Sequence, residues 1–334
     1  MPAKAVALFS GGLDSALAVR LIADQGIQVR GLTFVSSFNP GLDPSGRGLT
    51  ARLIAHQLGM PLRVVGFSRE HLDMVQRPRY GLGRNMNPCI DCHTYMCSRA
   101  REWMEELGAD FVFTGEVLGE RPMSQRRQAL DIVESKSGLR GRLLRPLSAK
   151  LLSPTIPERE GLVDRDRLLD IRGRSRKRQI ALAAEYGLTD YPTPAGGCLL
   201  TDPLYSNRLR EVLEHGEDTV ADSILLRLGR HFRLGSGAKV VIARDQDENG
   251  RLMTAARPGD VLLRAVGFGG PVGLLRRGAP GDEELAGAMV ARYGQGKGET
   301  SVPLDLCRPP DRRFSGELAV RPADPADCDA LRVE

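Results

Sequence analysis

Two groups of residues in this chain have types and spacings that can do chemistry. The first is Ser10-Gly11-Gly12-Leu13-Asp14-Ser15, lying between the apolar run Ala5 to Phe9 and a stretch in which Ala16, Leu17, Val19, Leu21 and Ile22 follow helical spacing. A strand-to-helix turn without Cβ atoms lets backbone N–H groups approach an anion, and the helix N-terminus adds partial positive charge, so phosphate is the ligand such a turn suits. The second group is Asn87-Pro88-Cys89-Ile90-Asp91-Cys92, a C-x-x-C just before a helical pattern, with Cys198 about a hundred residues later in a Gly-Gly-Cys loop. A zinc ribbon needs a second C-x-x-C, and none is present. Thiols at a helix N-terminus are expected to have a lowered pKa, which suits metal ligation and nucleophilic sulfur chemistry alike, and the spacing leaves both open. Cys307 and Cys328 read as small buried hydrophobes, and Cys97 is divided between that reading and the site.

These residues need elements to hold them. Strands are expected at 5–10, 29–35, 62–67, 111–116 and 143–148, and helices at 14–25, 48–58, 69–76, 94–108 and 122–134. Such alternation implies an α/β fold with a doubly wound, mostly parallel sheet, whose ligands gather at the carboxyl ends of the strands. Ser10, Thr33, Phe34 and Gly115 fall at those ends. The first domain is expected over 1–150, followed by a basic adaptor over 151–203 that ends in the Gly-Gly-Cys loop. A smaller α+β domain is expected over 204–334, with helices near 206–215, 219–230 and 282–293, strands near 238–244 and 260–266, and a poorly patterned tail.

The 334 residues carry a formal charge of +5, but between Arg121 and Arg178 Lys and Arg exceed Asp and Glu by nine, so the rest of the chain is acidic. A concentrated run of arginines such as Arg172, Arg174, Arg176 and Arg178 suits a polyphosphate backbone. No apolar window is long enough to span a bilayer and no signal sequence is evident, so a cytoplasmic, non-membrane protein is expected. In a reducing compartment the six cysteines suit metal or redox chemistry better than a disulfide framework.

The loop is not a Walker P-loop, which ends in Gly-Lys-Ser/Thr, nor a dinucleotide G-x-G-x-x-G, nor a nucleophile elbow. Ser-Gly-Gly-x-Asp-Ser after a first strand resembles the pyrophosphate loop (PP-loop) of the N-type ATP pyrophosphatases, whose domain is adenine nucleotide alpha hydrolase-like. The resemblance implies cleavage of ATP between its α and β phosphates and transfer of AMP to a carbonyl or carboxylate oxygen. Ser10, Gly11, Gly12, Asp14 and Ser15 would hold phosphates and Mg²⁺, with Thr33, Phe34 and Gly115 flanking the nucleotide. Together with the cysteines, the chain is similar to the tRNA-thiolating branch. Its 2-thiouridine enzymes read Asn-Pro-Asp-x-x-Cys, so Cys89 replaces an aspartate. A C-x-x-C with one remote cysteine resembles instead the thiolases in which three cysteines hold a 4Fe-4S cluster, which implies Cys89, Cys92 and Cys198 as ligands. Gly115-Glu116-Val-Leu-Gly-Glu resembles a segment of 4-thiouridine synthetases.

His231 to Asn249 resembles the RNA-binding module of NFACT proteins, which implies a tRNA-gripping C-terminal domain. The expected activity is therefore ATP-dependent tRNA thiolation, with Asp14, Cys89, Cys92 and Cys198 catalytic. The sulfur donor would be a cysteine desulfurase, sulfide or a sulfur carrier protein, and a homodimer is the expected assembly. The rivals are a cluster-free persulfide and disulfide relay through Cys92 and Cys198, a PP-loop ATPase acting on a small molecule, and a binding module without catalysis.

Overall fold

The computed structural model describes residues 2–39, 49–189, 191, 198–311 and 313–334. Gly196 and Gly197, and residue 48 where the second helix is expected to start, lie outside them. The chain divides into two compact units, Met1–Thr201 and Asp202–Glu334.

The first unit opens with β1 (Lys4–Leu8), α1 (Leu13–Ala23), β2 (Gln28–Val35), α2 (Leu49–Gln57), β3 (Leu62–Gly66) and α3 (Ser68–Gln76). It continues with α4 (Cys89–Leu107), β4 (Phe111–Thr114), α5 (Arg127–Lys136), β5 (Leu143–Leu144), α6 (Ile156–Arg159) and α7 (Lys177–Glu185). Five strands form one sheet in the order β3-β2-β1-β4-β5, and every adjacent pair is parallel. The apolar run of β1 is continuous because both of its faces are covered. Ala5, Ala7 and Phe9 pack with Ala16 and Val19 of α1 and Ile54 of α2. Val6 packs on the other side with Ala100 and Met104 of α4 and Val133 of α5. The doubly wound α/β expectation therefore holds. The strand order reverses between β1 and β4, which opens the ligand crevice at their carboxyl ends.

Two local expectations change. Helix α4 begins at Cys89 itself, with Pro88 as its N-cap, so the C-x-x-C occupies the first turn of the helix and does not precede it. The helix expected at 122–134 starts only at Arg127, and the last strand shrinks to Leu143–Leu144.

The second unit is a seven-stranded antiparallel sheet with helices. Its elements are α8 (Pro203–Glu214), α9 (Val220–Leu225), β6 (Arg230–Arg233), β7 (Lys239–Ile242), α10 (Gln246–Ala255), β8 (Val261–Ala265) and β9 (Gly273–Arg276). After these come α11 (Asp282–Tyr293), β10 (Val302–Cys307), β11 (Gly316–Val320), α12 (Pro325–Ala330) and β12 (Arg332–Val333). The helix expected over 219–230 stops at Leu225, and Gly229, at φ +65°, turns the chain into β6. The poorly patterned tail forms β10, β11, α12 and β12 among its described residues. In β10 Val302, Leu304 and Leu306 are buried while Pro303 is exposed, the period of two that a half-covered strand requires.

Candidate active site

The loop after β1 is built as an anion cradle. Gly12 is the N-cap of α1 and provides no side-chain cap, so the first-turn amides of the helix face outward without a side-chain acceptor. The Ser15 hydroxyl donates to the Gly12 carbonyl (2.8 Å) and lies 3.2 Å from the Ser10 hydroxyl, which accepts from the Gly12 amide (3.3 Å). Gly11 has φ +77°, and a Cβ there would stand 2.7 Å from the backbone of Ala51. Gly115, just past β4, is more tightly constrained, because a Cβ would fall 2.5 Å from the Ser15 amide nitrogen. Gly115→Ala must therefore push β4 away from the phosphate loop. The expected result is at least about a tenfold loss of ATP affinity in a folded protein, read by titration calorimetry. Unchanged affinity would mean that the loop yields without cost.

A cavity of about 480 Å³ opens over this loop, lined by Ser10, Gly12, Asp14, Ser15, Thr33, Phe34, Gly115 and Cys198 among others. All the expected nucleotide residues except Gly11 line it. Gly11 acts from beneath by allowing the turn. Cys89 and Cys92 are not in its lining, whereas His93, Cys97, Glu116, Glu120, Arg121 and Arg176 are.

Burial pushes the Asp14 carboxyl above its ordinary value, opposed by the charge of Arg176, the nearby Gln179 amide and the charge of Arg121. Its Oδ2 lies 4.0 Å from Arg176, and its Oδ1 is buried without a hydrogen-bond partner. An orphaned carboxylate oxygen beside an anion cradle suits a magnesium ion, which Asp14 would hold.

At the cavity wall lies an ionic group that sequence reading did not assemble. Glu116 is buried, and its carboxylate accepts from His93 Nδ1 (2.9 Å), Thr114 Oγ1 (3.1 Å) and Arg145 Nε (3.1 Å). Arg145 is itself buried, pairs also with Glu134 and donates to the Leu130 carbonyl. Burial would raise the Glu116 carboxyl, but the His93 hydrogen bond and the Arg145 charge outweigh it and hold the group at about 2. Because an ionised carboxylate only accepts, the His93 Nδ1 carries the proton, and in the neutral ring Nε2 is left as an acceptor.

Backbone contacts across long sequence distances hold the segment that carries Cys198. The segment beginning at Cys198 bonds to two loops. The Leu199 amide donates to the Phe38 carbonyl (2.9 Å) and the Cys198 thiol to the same oxygen (3.4 Å). The Met86 amide donates to the Leu200 carbonyl (3.1 Å), and Asn85 Nδ2 to that of Thr201 (2.7 Å). Asn85 holds a positive φ of 55°, the one clue in this loop that sequence reading passed over. Asp91 accepts from the amides of Arg79 and Tyr80, which fixes the chain entering α4.

The thiols are not the lowered-pKa groups expected at a helix N-terminus. Burial pushes Cys92 well above the usual thiol range, and Cys198, Cys89, Cys97 and Asp91 raise it further. Burial takes Cys198 to about 12 and also raises Cys89, which Arg121 partly offsets. Desolvation and mutual repulsion thus outweigh the helix end. Among the described residues no three His, Cys, Asp or Glu side chains gather closely enough to chelate a single ion. Three thiols are nonetheless the donor type that iron–sulfur clusters take. Cys97 sits in the core against Ala100 and Val133, while Cys307 and Cys328 are buried in the second unit, as read.

Residues 3–137 match the family model of the tRNA methyl transferase HUP domain, and residues 229–331 that of the NFACT protein RNA binding domain. Among curated relatives, the tRNA-specific 2-thiouridylase MnmA of Syntrophotalea carbinolica is 38% identical over 114 residues, covering 32% of each chain. The enzyme of the same name from Legionella pneumophila (strain Lens) is 35% identical over 124 residues, covering 34% of each. The chain thus spans about a third of the length of these relatives. A solved 4-thiouridine synthetase–RNA complex with bound ATP is 23% identical with a TM-score of 0.39, covering 67% of this chain and 52% of that one. No described helix is long and apolar enough to cross a membrane.

Proposed function

We propose that the chain is an ATP-dependent tRNA thiolase, a reading supported by the match of residues 3–137 to a HUP-domain model and of residues 229–331 to an NFACT RNA-binding model. The observation that carries this reading is the meeting, around one cavity, of an anion cradle and the Cys198 thiol, with Cys89 and Cys92 close enough to influence it. The family description speaks of methyl transfer, but the curated relatives are thiouridylases, and an ATP-type phosphate loop beside converging thiols suits activation followed by sulfur substitution.

A uridine carbonyl oxygen bonds to the α-phosphorus of ATP as the bond from that phosphorus to the bridging oxygen breaks. The electron pair leaves on pyrophosphate, and the proton of the ring nitrogen passes to water. A hydrosulfide equivalent then bonds to the same ring carbon, AMP leaves, and the sulfur-borne proton returns to the ring nitrogen. The chain contributes positioning and electrostatics. The loop amides and Ser10, Gly12 and Ser15 seat the phosphates, Asp14 would hold Mg²⁺, and Thr33, Phe34 and Gly115 border the nucleoside. Cys89, Cys92 and Cys198 would hold a 4Fe-4S cluster, which when bound leaves one iron open to an external sulfide. A flipped-out base would enter the cavity from tRNA gripped elsewhere on the chain.

Mass spectrometry of tRNA nucleosides from a deletion strain tests the reading, the expected result being loss of one thiolated uridine. An unchanged nucleoside profile would overturn it. Anaerobically purified protein is expected to carry iron and visible charge-transfer absorption, and colourless, iron-free, active protein would favour the persulfide relay. Pyrophosphate release that bulk tRNA does not stimulate would favour a small-molecule substrate.

A further inference from the structure

Ten buried side-chain nitrogen and oxygen atoms among the described residues have no hydrogen-bond partner, and four of them are Asp14 Oδ1, Arg176 Nε and both amide atoms of Gln179. The Gln179 amide leans on Asp14, and of these residues Asp14 and Arg176 line the cavity, each with a buried polar atom uncommitted. Arg176 is the N-cap of α7, and Gln179, which is fully buried, lies on its first turn. Helix α7 packs on α1 through Ala183 against Leu13 and Leu17, which turns this end toward the phosphate loop. Arg176 Nη2 lies 4.0 Å from Asp14 Oδ2, too long for a hydrogen bond, and its side chain is 19% exposed. A cation held this near the cradle, with a donor unused, is poised for an anion larger than one carboxylate. The loop itself contains no lysine.

We propose that Arg176 is the leaving-group arginine of the nucleotide site, gripping the β- and γ-phosphates that depart as pyrophosphate. This rests on the nucleotide reading of the cavity but not on RNA or sulfur. As the bond between the α-phosphorus and the bridging oxygen breaks, the electron pair stays on pyrophosphate, and the planar guanidinium meets that growing charge through paired N–H donors. It also separates the basic run by role. Arg176 faces the cavity, whereas Arg178 pairs with Asp170 at the surface (2.8 Å), where both side chains are 56% exposed.

The test is calorimetric titration of the full chain with inorganic pyrophosphate plus Mg²⁺, and separately with AMP. Arg176→Gln is expected to weaken pyrophosphate binding by at least about tenfold and leave AMP binding within about twofold. Arg176→Lys should fall between, and Arg178→Gln should bind both as the native chain does. Native pyrophosphate affinity in Arg176→Gln would overturn the proposal, as would equal loss of both ligands, which indicates a collapsed site. Because no RNA is present, failure of the thiolation reading would leave these results intact.

Discussion

Cys92→Ala is expected to lower thiolated-nucleoside formation by at least about a hundredfold while leaving tRNA-stimulated pyrophosphate release within a few-fold of native. Cys92 is the most crowded of the three thiols, raised by burial and by the charges of Cys198 and Cys89 together, so its removal dismantles the sulfur side of the site without touching the cradle at residues 10–15. Cys89→Ala and Cys198→Ala should behave alike. Cys307→Ala and Cys328→Ala should keep activity, since those thiols are buried in the second unit, and so should Cys97→Ala, whose thiol packs in the core although it also borders the cavity. Nucleoside mass spectrometry and a pyrophosphate assay read the two halves separately. Full thiolation by Cys89→Ala would remove the three-ligand reading, and loss of pyrophosphate release in Cys92→Ala would show that the halves are not separable.

The largest expected effect on stability is at Arg145. Arg145→Met leaves the buried Glu116 carboxylate without its guanidinium, and breaking one side of a buried ion pair costs about 3–5 kcal/mol. Removing both charges with Glu116→Gln in the same chain should recover part of that loss. The pH dependence has a definite sign. Because the folded state holds Glu116 at about 2, below its ordinary 4.5, the group stabilises the fold above 4.5 and loses that contribution as pH falls toward 2. In Arg145→Met the carboxyl no longer benefits from the arginine charge, so acid sensitivity should begin at higher pH. Urea unfolding across this range measures it. An Arg145→Met curve parallel to the native one would show that the pair is not what holds Glu116 ionised.

Much of the first unit was legible in the chain because its signals are local and strong. A continuous apolar strand, a glycine turn and a periodic helix stand in one stretch from Ala5 to Ile22. The start of α4 was misplaced because Cys89 to His93 is a mixed polar stretch, although Pro88 and the first-turn Asp91 are usable start signals. The second unit showed β7 and β8 but hid its other strands in two- to six-residue pieces with charges inside them. Arg276, for example, is buried at the end of β9 only because Asp222 and Asp260 pair with it. Of the residues that meet at the site only in three dimensions, Glu116, Arg145 and Arg176 stood in segments singled out for other reasons, His93 stood beside the C-x-x-C, and Gln179 belongs to no pattern. Their significance comes from convergence, which no window of sequence contains.

The thiol of Cys198 reaches the Phe38 carbonyl across 160 residues of chain, whereas the anion cradle closes between neighbours such as Ser10 and Ser15. Pairings that distant form late, and in a growing polypeptide they must wait for synthesis to reach them. The order of maturation follows. A nascent chain can close the turn at residues 10–15 early, whereas the cavity gains Arg176 and the Cys198 thiol only when the first unit is almost entirely made.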